Sequence, residues 1–269
     1  MIVEAIRKLV DFQDLTVEEA ERAMNEIMAG EATEAQTASF LTALRMKGEK
    51  PFEVASLARA MRERCRRIRV DHNERLLDTC GTGGDKIKTF NFSTLAAIVA
   101  AGAGVPVAKH GNRSVTGPCG SADLMEALGL NLGSPPSMVE ETLREEGLAF
   151  LYAPVFHPAM RHASKPRKEM GFRTVFNLLG PLTNPAGAGV QLLGVYDEDL
   201  TEFMAETLNR LGVVQAAVVH GLDGLDEFSI IGATKVTWLR GGSISTEFLK
   251  PSSLGLSKAR VEELASSTL

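Results

Sequence analysis

Residues 76–85 read Leu76-Leu77-Asp78-Thr79-Cys80-Gly81-Thr82-Gly83-Gly84-Asp85. Leu76–Cys80 predicts a short strand that runs straight into a glycine-rich turn. Glycine carries no Cβ, so the backbone can approach an anion closely, and successive N–H groups can form an anion-binding concavity. No Gly-Lys-Ser/Thr follows, and the pattern is not Gly-x-Gly-x-x-Gly, which excludes a Walker loop and a dinucleotide fingerprint. Taken alone, the segment is equally well a tight turn.

Working outward, the chain changes character near residue 72. Upstream, Ile2, Ile6, Leu9 and Val10 fall on one helical face. Thr16 with Glu19 and Thr33 with Gln36 are capping-box pairs ahead of apolar stripes, Val17, Ala20, Met24, Ile27 and Met28 in the first case and Phe40, Leu41 and Leu44 in the second. Gly30 is a natural helix stop, and Pro51 suits the first turn of a helix carrying Val54, Leu57, Ala58 and Met61. These features predict a small helical bundle. The basic run Arg62, Arg64, Arg66, Arg67 and Arg69 reads as a solvated helix end. Downstream, strands are expected at Val105–Ala108, Leu148–Tyr152, Gln191–Tyr196 and Ala216–His220. Helices are expected at Thr94–Ala103, from a Ser121 cap to near Gly129, from a Ser137/Glu140 capping box to Gly147, and at Glu198–Leu211. Such alternation indicates a sheet covered by helices.

Composition narrows the class. With 44% hydrophobic and 23% charged residues over 269, the chain can bury a core without disulfide staples. Cys65, Cys80 and Cys119 form no Cys-x-x-Cys spacing, which fits a reducing cytoplasm better than a zinc or disulfide framework. The start alternates charged and apolar residues, unlike a signal peptide, and no stretch is long enough for a membrane span. A formal net charge of −5 argues against broad nucleic-acid binding.

Four further segments carry chemistry. Thr89-Phe90-Asn91-Phe92-Ser93-Thr94 precedes an Ala-rich helix, where Ser93 or Thr94 is an ordinary N-cap, a phosphate ligand, or both. Lys109-His110-Gly111-Asn112-Arg113-Ser114-Val115-Thr116-Gly117, followed by Gly120-Ser121, is a dense polar loop after a candidate strand. Its Lys109 is a compact charge suited to a diphosphate. His157 through Asn184 contains Arg167, a guanidinium fork able to take a carboxylate, and a Gly180-Pro181 turn that helps shape an apolar slot. By spacing alone, His157 and His162 read as capping or surface histidines. His220 through Glu227 follows another strand and ends in adjacent carboxylates, Asp226 and Glu227, suited to Mg²⁺ bound together with a phosphate.

In this order, DTCGTGGD, NFST, KHGNR, GSADLMEALG, HPAMRHA, GFRTVFNLLGPLTNPAG and HGLDGLDE resemble the anthranilate phosphoribosyltransferase family of tryptophan biosynthesis over nearly the whole chain. Pyrimidine nucleoside phosphorylases share a related KHGNR and GSADxLEALG region, and a non-catalytic nucleic-acid-binding relative on the same scaffold is a second alternative. DTCGTGGD with FNLLGPLTNP, and the Asp226-Glu227 pair, favour the transferase. The resemblance implies an α/β fold of the nucleoside phosphorylase/phosphoribosyltransferase kind, with a small N-terminal helical domain and a larger domain built on a mixed sheet flanked by helices. The helical domain is expected at 1–72, joined in space by about 165–187, and the α/β domain at 73–269. Family members usually continue several tens of residues further, so the α/β domain is expected to be incomplete at its C-terminus.

The resemblance also implies roles. Gly81, Gly84, Asp85, Thr89, Asn91, Phe92, Ser93, Thr94, the run Lys109, His110, Gly111, Asn112, Arg113, Ser114, Val115, Thr116 and Gly117, and Ser121 are expected to hold 5-phosphoribosyl 1-diphosphate (PRPP), with the 109–117 loop closing over it. Gly81, Asn112 and Arg167 are expected to hold anthranilate, and Ser93, Asp226 and Glu227 to bind Mg²⁺. Lys109 stabilises charge on the leaving diphosphate, and no nucleophile or general acid or base is assigned. A homodimer in the cytoplasm is expected, with no nucleic-acid or membrane partner. A glutamine amidotransferase of anthranilate synthase is left open as a partner.

Overall fold

The computed structural model describes residues 1–71, 75–84, 90–114 and 119–264. Asp85, Thr89, Val115, Thr116 and Gly117 lie outside the described residues.

Four helices open the chain: α1 (Ile2–Val10), α2 (Val17–Ala29), α3 (Glu34–Lys47) and α4 (Pro51–Glu63). Both capping boxes form. Thr16 Oγ1 accepts the Glu19 N–H at 3.3 Å while Glu19 Oε2 accepts the Thr16 N–H at 2.8 Å, and Thr33 with Gln36 repeats the exchange. Gly30 ends α2 in a left-handed conformation, φ 75°. The apolar stripes face one another, except that Val10 and Val17 are exposed. Val10 sits about 100° round the helix from buried Leu9, off the stripe.

The α/β part runs β1 (Leu77–Asp78), α5 (Phe92–Gly102), β2 (Val107–Gly111), α6 (Ser121–Ala127), α7 (Pro136–Glu146) and β3 (Leu148–Tyr152). It continues with α8 (Ala153–Phe156), α9 (Arg161–Met170), α10 (Phe176–Leu179), β4 (Val190–Gly194), α11 (Leu200–Arg210), β5 (Gln215–Gly221), β6 (Thr234–Arg240), β7 (Ser243–Leu249) and α12 (Val261–Leu264). The seven strands form one mixed sheet in the order β3-β2-β1-β4-β5-β6-β7. The first five are parallel; β6 and β7 add an antiparallel edge. Strand order reverses at β1, because β2 lies on one side of it and β4 on the other. That reversal opens a crevice at the carboxyl ends of β1 and β4, the usual ligand position in open α/β sheets.

Several expectations need correction. Helix α6 has Gly120, not Ser121, as its N-cap. The Ser137/Glu140 box does not form, because Pro136 takes the first helical position and Glu140 instead accepts the Arg69 N–H at 2.7 Å. Strand β2 extends through Gly111, so Lys109 and His110 are strand residues rather than loop residues. The β6–β7 hairpin was not anticipated. Its two-residue turn, Gly241-Gly242, has both φ values positive, 55° and 85°, the conformation that matches strand twist.

Helix α9 contacts α2 and α3, and α10 contacts α4. Ala163, Val175, Phe176, Leu178, Leu179 and Leu182 share a single apolar cluster with the four N-terminal helices and with Met204, Ala205 and Leu208 of α11. The sheet and the helical bundle are thereby joined through one continuous core. A second cluster seats α7 on the other part of the sheet through Val139 and Leu143 against Ala108, Ala149 and Leu151. Arg62 departs from the solvated reading: its Nε donates to the Leu182 carbonyl at 2.6 Å, and burial pulls the guanidinium down to about 10.

Candidate active site

The glycine-rich turn leaves β1 and meets the end of β4 directly. The Thr82 N–H donates to the Gly194 carbonyl at 2.9 Å, and a Cβ on Gly81 would stand 3.0 Å from the same oxygen. A Cβ on Gly194 would in turn overlap the Asp226 carbonyl. Three backbones therefore converge at the switch point, and they converge only because no side chain intervenes.

Lys109 brings β2 into the same place. Its Nζ is buried and donates to the Thr79 carbonyl at 3.1 Å, to Thr79 Oγ1 at 3.0 Å and to Ser93 Oγ at 3.2 Å. Thr79 Oγ1 donates to the Ser93 carbonyl at 2.8 Å. Burial lowers the Lys109 pKa, while the negative charge of Asp78 and Glu227 opposes that shift. Ser93 is the second residue of α5, whose N-cap, Asn91, makes no side-chain cap bond. The expected Ser93 or Thr94 cap is thus replaced by Asn91. The Thr94 hydroxyl is buried with no hydrogen-bond partner among the described residues.

Asp78 fastens these pieces from beneath. Its Oδ1 accepts the Cys80 N–H at 3.0 Å and the His110 N–H at 3.1 Å; its Oδ2 accepts the Asn184 amide at 2.7 Å. Burial raises the carboxyl to about 6 against the pull of Lys109, and pushes the neighbouring Cys80 thiol up to about 12.

Sequence comparison agrees with this arrangement. The model of the glycosyl transferase family a/b domain matches residues 73–268, and that of the glycosyl transferase family helical bundle domain matches residues 3–65. An anthranilate phosphoribosyltransferase of Moorella thermoacetica is 56% identical over 268 residues, covering 100% of this chain and 79% of the relative. The chain belongs to the anthranilate phosphoribosyltransferase family. The crystal structure of the Thermus thermophilus anthranilate phosphoribosyltransferase superposes with a TM-score of 0.91 at 48% identity, covering 98% of this chain and 78% of that one. The Saccharomyces cerevisiae enzyme, in complex with PRPP and Mg, superposes at 0.88 with 33% identity, covering 99% and 77%.

The remaining motif residues of this anthranilate phosphoribosyltransferase family member fall into two groups. Around Asn112, the Ser121 hydroxyl donates to the Asn112 carbonyl at 3.3 Å. Arg113 turns away to ion pairs with Asp123 at 2.8 Å and Glu126 at 2.7 Å, which raise its pKa. The Ser114 and Gly120 N–H groups both donate to Asp123 Oδ2, at 3.1 and 2.8 Å. A Cβ on Gly111 would overlap Ser121 Oγ, and one on Gly120 the Ser114 nitrogen. Phe92 opens α5 and stacks edge-on with Phe90 at 6.1 Å between ring centroids.

Arg167 lies apart from that group, half-buried on α9 with its guanidinium carbon 4.7 Å from the Phe176 ring centroid. It forms no hydrogen bond or ion pair with any described residue, Gly81 and Asn112 included. Burial lowers its pKa.

His157 corrects the surface reading. It is 6% exposed and stands 5.1 Å, centroid to centroid, from His110. His110 Nδ1 bonds the Gly180 carbonyl at 3.0 Å. Burial lowers His110 to about 3 and His157 to about 4, so both are neutral, and neither Nε2 has a partner among the described residues. The sequence motifs assign His110 to the site and leave His157 as a capping or surface residue. The His157 contact has no local signal, because His110 is 47 residues away.

The donors assigned to Mg²⁺ suit that ion: one hydroxyl and two carboxylates, all hard oxygens. Gly194 seats Asp226, the charge on Glu227 reaches Lys109, and Lys109 bonds Ser93. Among the described residues no group of three or more His, Cys, Asp or Glu could hold a metal by itself. A hydroxyl and two carboxylates leave coordination positions that phosphate oxygens can take.

Proposed function

We propose that the chain transfers the 5-phosphoribosyl group from PRPP to the amine of anthranilate, releasing N-(5-phosphoribosyl)anthranilate and diphosphate, as a step of tryptophan biosynthesis. The observation that carries this reading is the buried Lys109 ammonium. It ties Thr79 and Ser93 together at the crevice where the glycine loop meets Gly194 and Asp226.

In this reading Gly81, Gly84, Asn91, Phe92, Ser93, Thr94, the 109–114 run and Ser121 hold PRPP, together with Asp85, Thr89, Val115, Thr116 and Gly117. Arg113 contributes its backbone, since its guanidinium is committed to Asp123 and Glu126. Lys109 and the loop N–H groups face the departing diphosphate, where fixed positive charge is worth most because the site is already organised. Ser93, Asp226 and Glu227 hold Mg²⁺, which when bound neutralises diphosphate charge. Arg167, which bonds no described residue, offers its fork to the anthranilate carboxylate, with Asn112 and the Gly81 backbone completing that subsite. The aromatic amine is already nucleophilic and needs mainly positioning, so no general base is assigned.

The helical domain is read as 1–72 together with about 165–187, the α/β domain as 73–269. A homodimer through the helical domain fits the exposed Val10, Phe12 and Met46 on α1, the loop after it, and α3. Among the described residues no helix is long and apolar enough to cross a membrane; cytoplasmic residence is the proposed location. The deciding experiment is loss of anthranilate fluorescence by the purified chain. Loss that requires both PRPP and Mg²⁺, with diphosphate appearing, supports the reading. No loss under any condition, together with phosphorolysis of thymidine or uridine, sinks it.

A further inference from the structure

Arg173 lies two residues beyond Gly171, where α9 ends in a left-handed turn with φ 66°. No motif assigns it to either substrate or to the ion. Its guanidinium nonetheless reaches two distant segments. Nη2 donates to the Gly84 carbonyl at 2.8 Å. The guanidinium carbon stands 4.0 Å from the centroid of the Tyr196 ring, just past the end of β4. Gly84 meets this contact with φ 90°, and a Cβ there would come within 2.5 Å of Nη2. The dihedral favours glycine at position 84, and a side chain there would push the arginine tip off the carbonyl.

The geometry points to Arg173 as a positioning residue that grips the Gly84 carbonyl against the Tyr196 ring, holding the glycine-rich loop in the shape that receives diphosphate. This inference rests on the transferase reading above. The residue type suits the task. A planar guanidinium can donate from its edge while its face lies on a ring, which an ammonium cannot do. Holding the loop beforehand removes the cost of ordering it when PRPP arrives, so the effect belongs to PRPP affinity and not to the chemical step. Arg167, six residues earlier on the same segment, faces a different subsite. The two arginines thus divide the substrates between them. Together with Arg45, Tyr196 and His220, Arg173 also lines a cleft of about 540 Å³ between the helical bundle and the strand ends, leaving its outer side open to solvent.

The test compares the full chain with Arg173→Gln, Arg173→Lys and Tyr196→Leu. Losing one hydrogen bond and one exposed cation–π contact is expected to raise KM for PRPP and its calorimetric Kd about tenfold in Arg173→Gln. The kcat should stay within about twofold, because the contact is the same in ground and transition states. Hydrogen exchange at the 81–84 amides should quicken, anthranilate affinity should hold, and Arg173→Lys should fall between. Unchanged KM with unchanged exchange in Arg173→Gln overturns the inference. So does equal weakening of both substrates with a lowered melting temperature, which marks a general loss of structure. If the unsubstituted chain binds no PRPP, the transferase reading falls instead. Exchange at 81–84 then still decides for or against the Arg173 grip.

Discussion

The Asn184 side-chain amide donates to Asp78 Oδ2 at 2.7 Å and to the Ala108 carbonyl at 2.8 Å, while its oxygen accepts the Ala186 N–H at 2.8 Å. One wholly satisfied amide thus joins the start of the glycine loop, strand β2 and the Gly180–Asn184 turn, all in the buried base of the site. Buried polar groups linked this way specify one arrangement, since any other leaves a charge or an amide without a partner.

Asn184→Asp is nearly isosteric and places a second carboxylate against Asp78. Two adjacent carboxylates cannot both ionise in a buried site, so the pair must keep one proton. The pair's folded pKa lies above its unfolded value, so its contribution is intact at low pH and lost as pH rises through the folded pKa. Asp78 alone already sits at about 6. Urea denaturation should therefore show a variant that loses stability relative to the parent between pH 5 and 8, by about 2–4 kcal/mol at the upper end. A pH-independent difference would show that the two carboxylates do not face each other.

Lys109→Met removes the ammonium and keeps the volume. Donors aimed at developing charge are typically worth a factor of about 10²–10³ in rate, and that loss is expected in kcat/KM for PRPP. Stability should fall as well, because the Thr79 and Ser93 oxygens lose their donor and buried Asp78 loses the positive charge beside it. Retained activity with a lowered melting temperature would make Lys109 a structural residue only.

Arg167→Ala tests the other subsite. A charge-assisted bidentate contact is worth about 1.5–3 kcal/mol, so anthranilate affinity should fall about 10- to 100-fold while PRPP affinity stays close to the parent value. Equal losses for both substrates, read by fluorescence quenching and calorimetry, would reject Arg167 as the carboxylate fork.

How far these residues could be read in the sequence depends on the range of the interaction involved. The Thr16 and Thr33 capping boxes are closed within four residues, and both form as expected. Lys109, Asp226 and Glu227 were visible because they sit in motifs at strand ends. Ser137 looked like a cap by the same local rule, but Pro136 pre-empted the first helical position. The hairpin at Thr234–Leu249 carries a local signal, the Gly241-Gly242 pair of a two-residue turn. The buried contacts of His157, Arg62 and Arg173 have no local signal. Their partners lie on segments that only the fold brings close.

His157 should leave a mark on acid stability. Burial holds its folded pKa at about 4, below the ordinary value of 6.5. A base with a depressed folded pKa contributes stability above its unfolded pKa, and that contribution drains away as pH falls towards the folded value. His157→Asn should therefore flatten the stability profile between pH 6.5 and 4, lowering proton uptake on unfolding by about one. An unaltered slope would mean that the imidazole titrates normally and is open to water.

The Gly194 contact makes the sharpest steric prediction at the ion site. Its φ is not in the left-handed region, so alanine brings no backbone strain. The cost is purely spatial: the new Cβ would overlap the Asp226 carbonyl, which is backbone and cannot swing aside as a flexible side chain would. The loop carrying Asp226 and Glu227 must shift, and these carboxylates are the proposed Mg²⁺ donors. Misplacing a catalytic group by about 1 Å can cost a factor of about 10². Gly194→Ala should therefore need more Mg²⁺ for half-maximal activity and lose at least about tenfold in kcat at saturation. Gly102→Ala, in α5 with open space around the added carbon, is the matched control and should leave both quantities unchanged. A Gly194→Ala enzyme with the parent's Mg²⁺ dependence would remove Asp226 and Glu227 from the ion site.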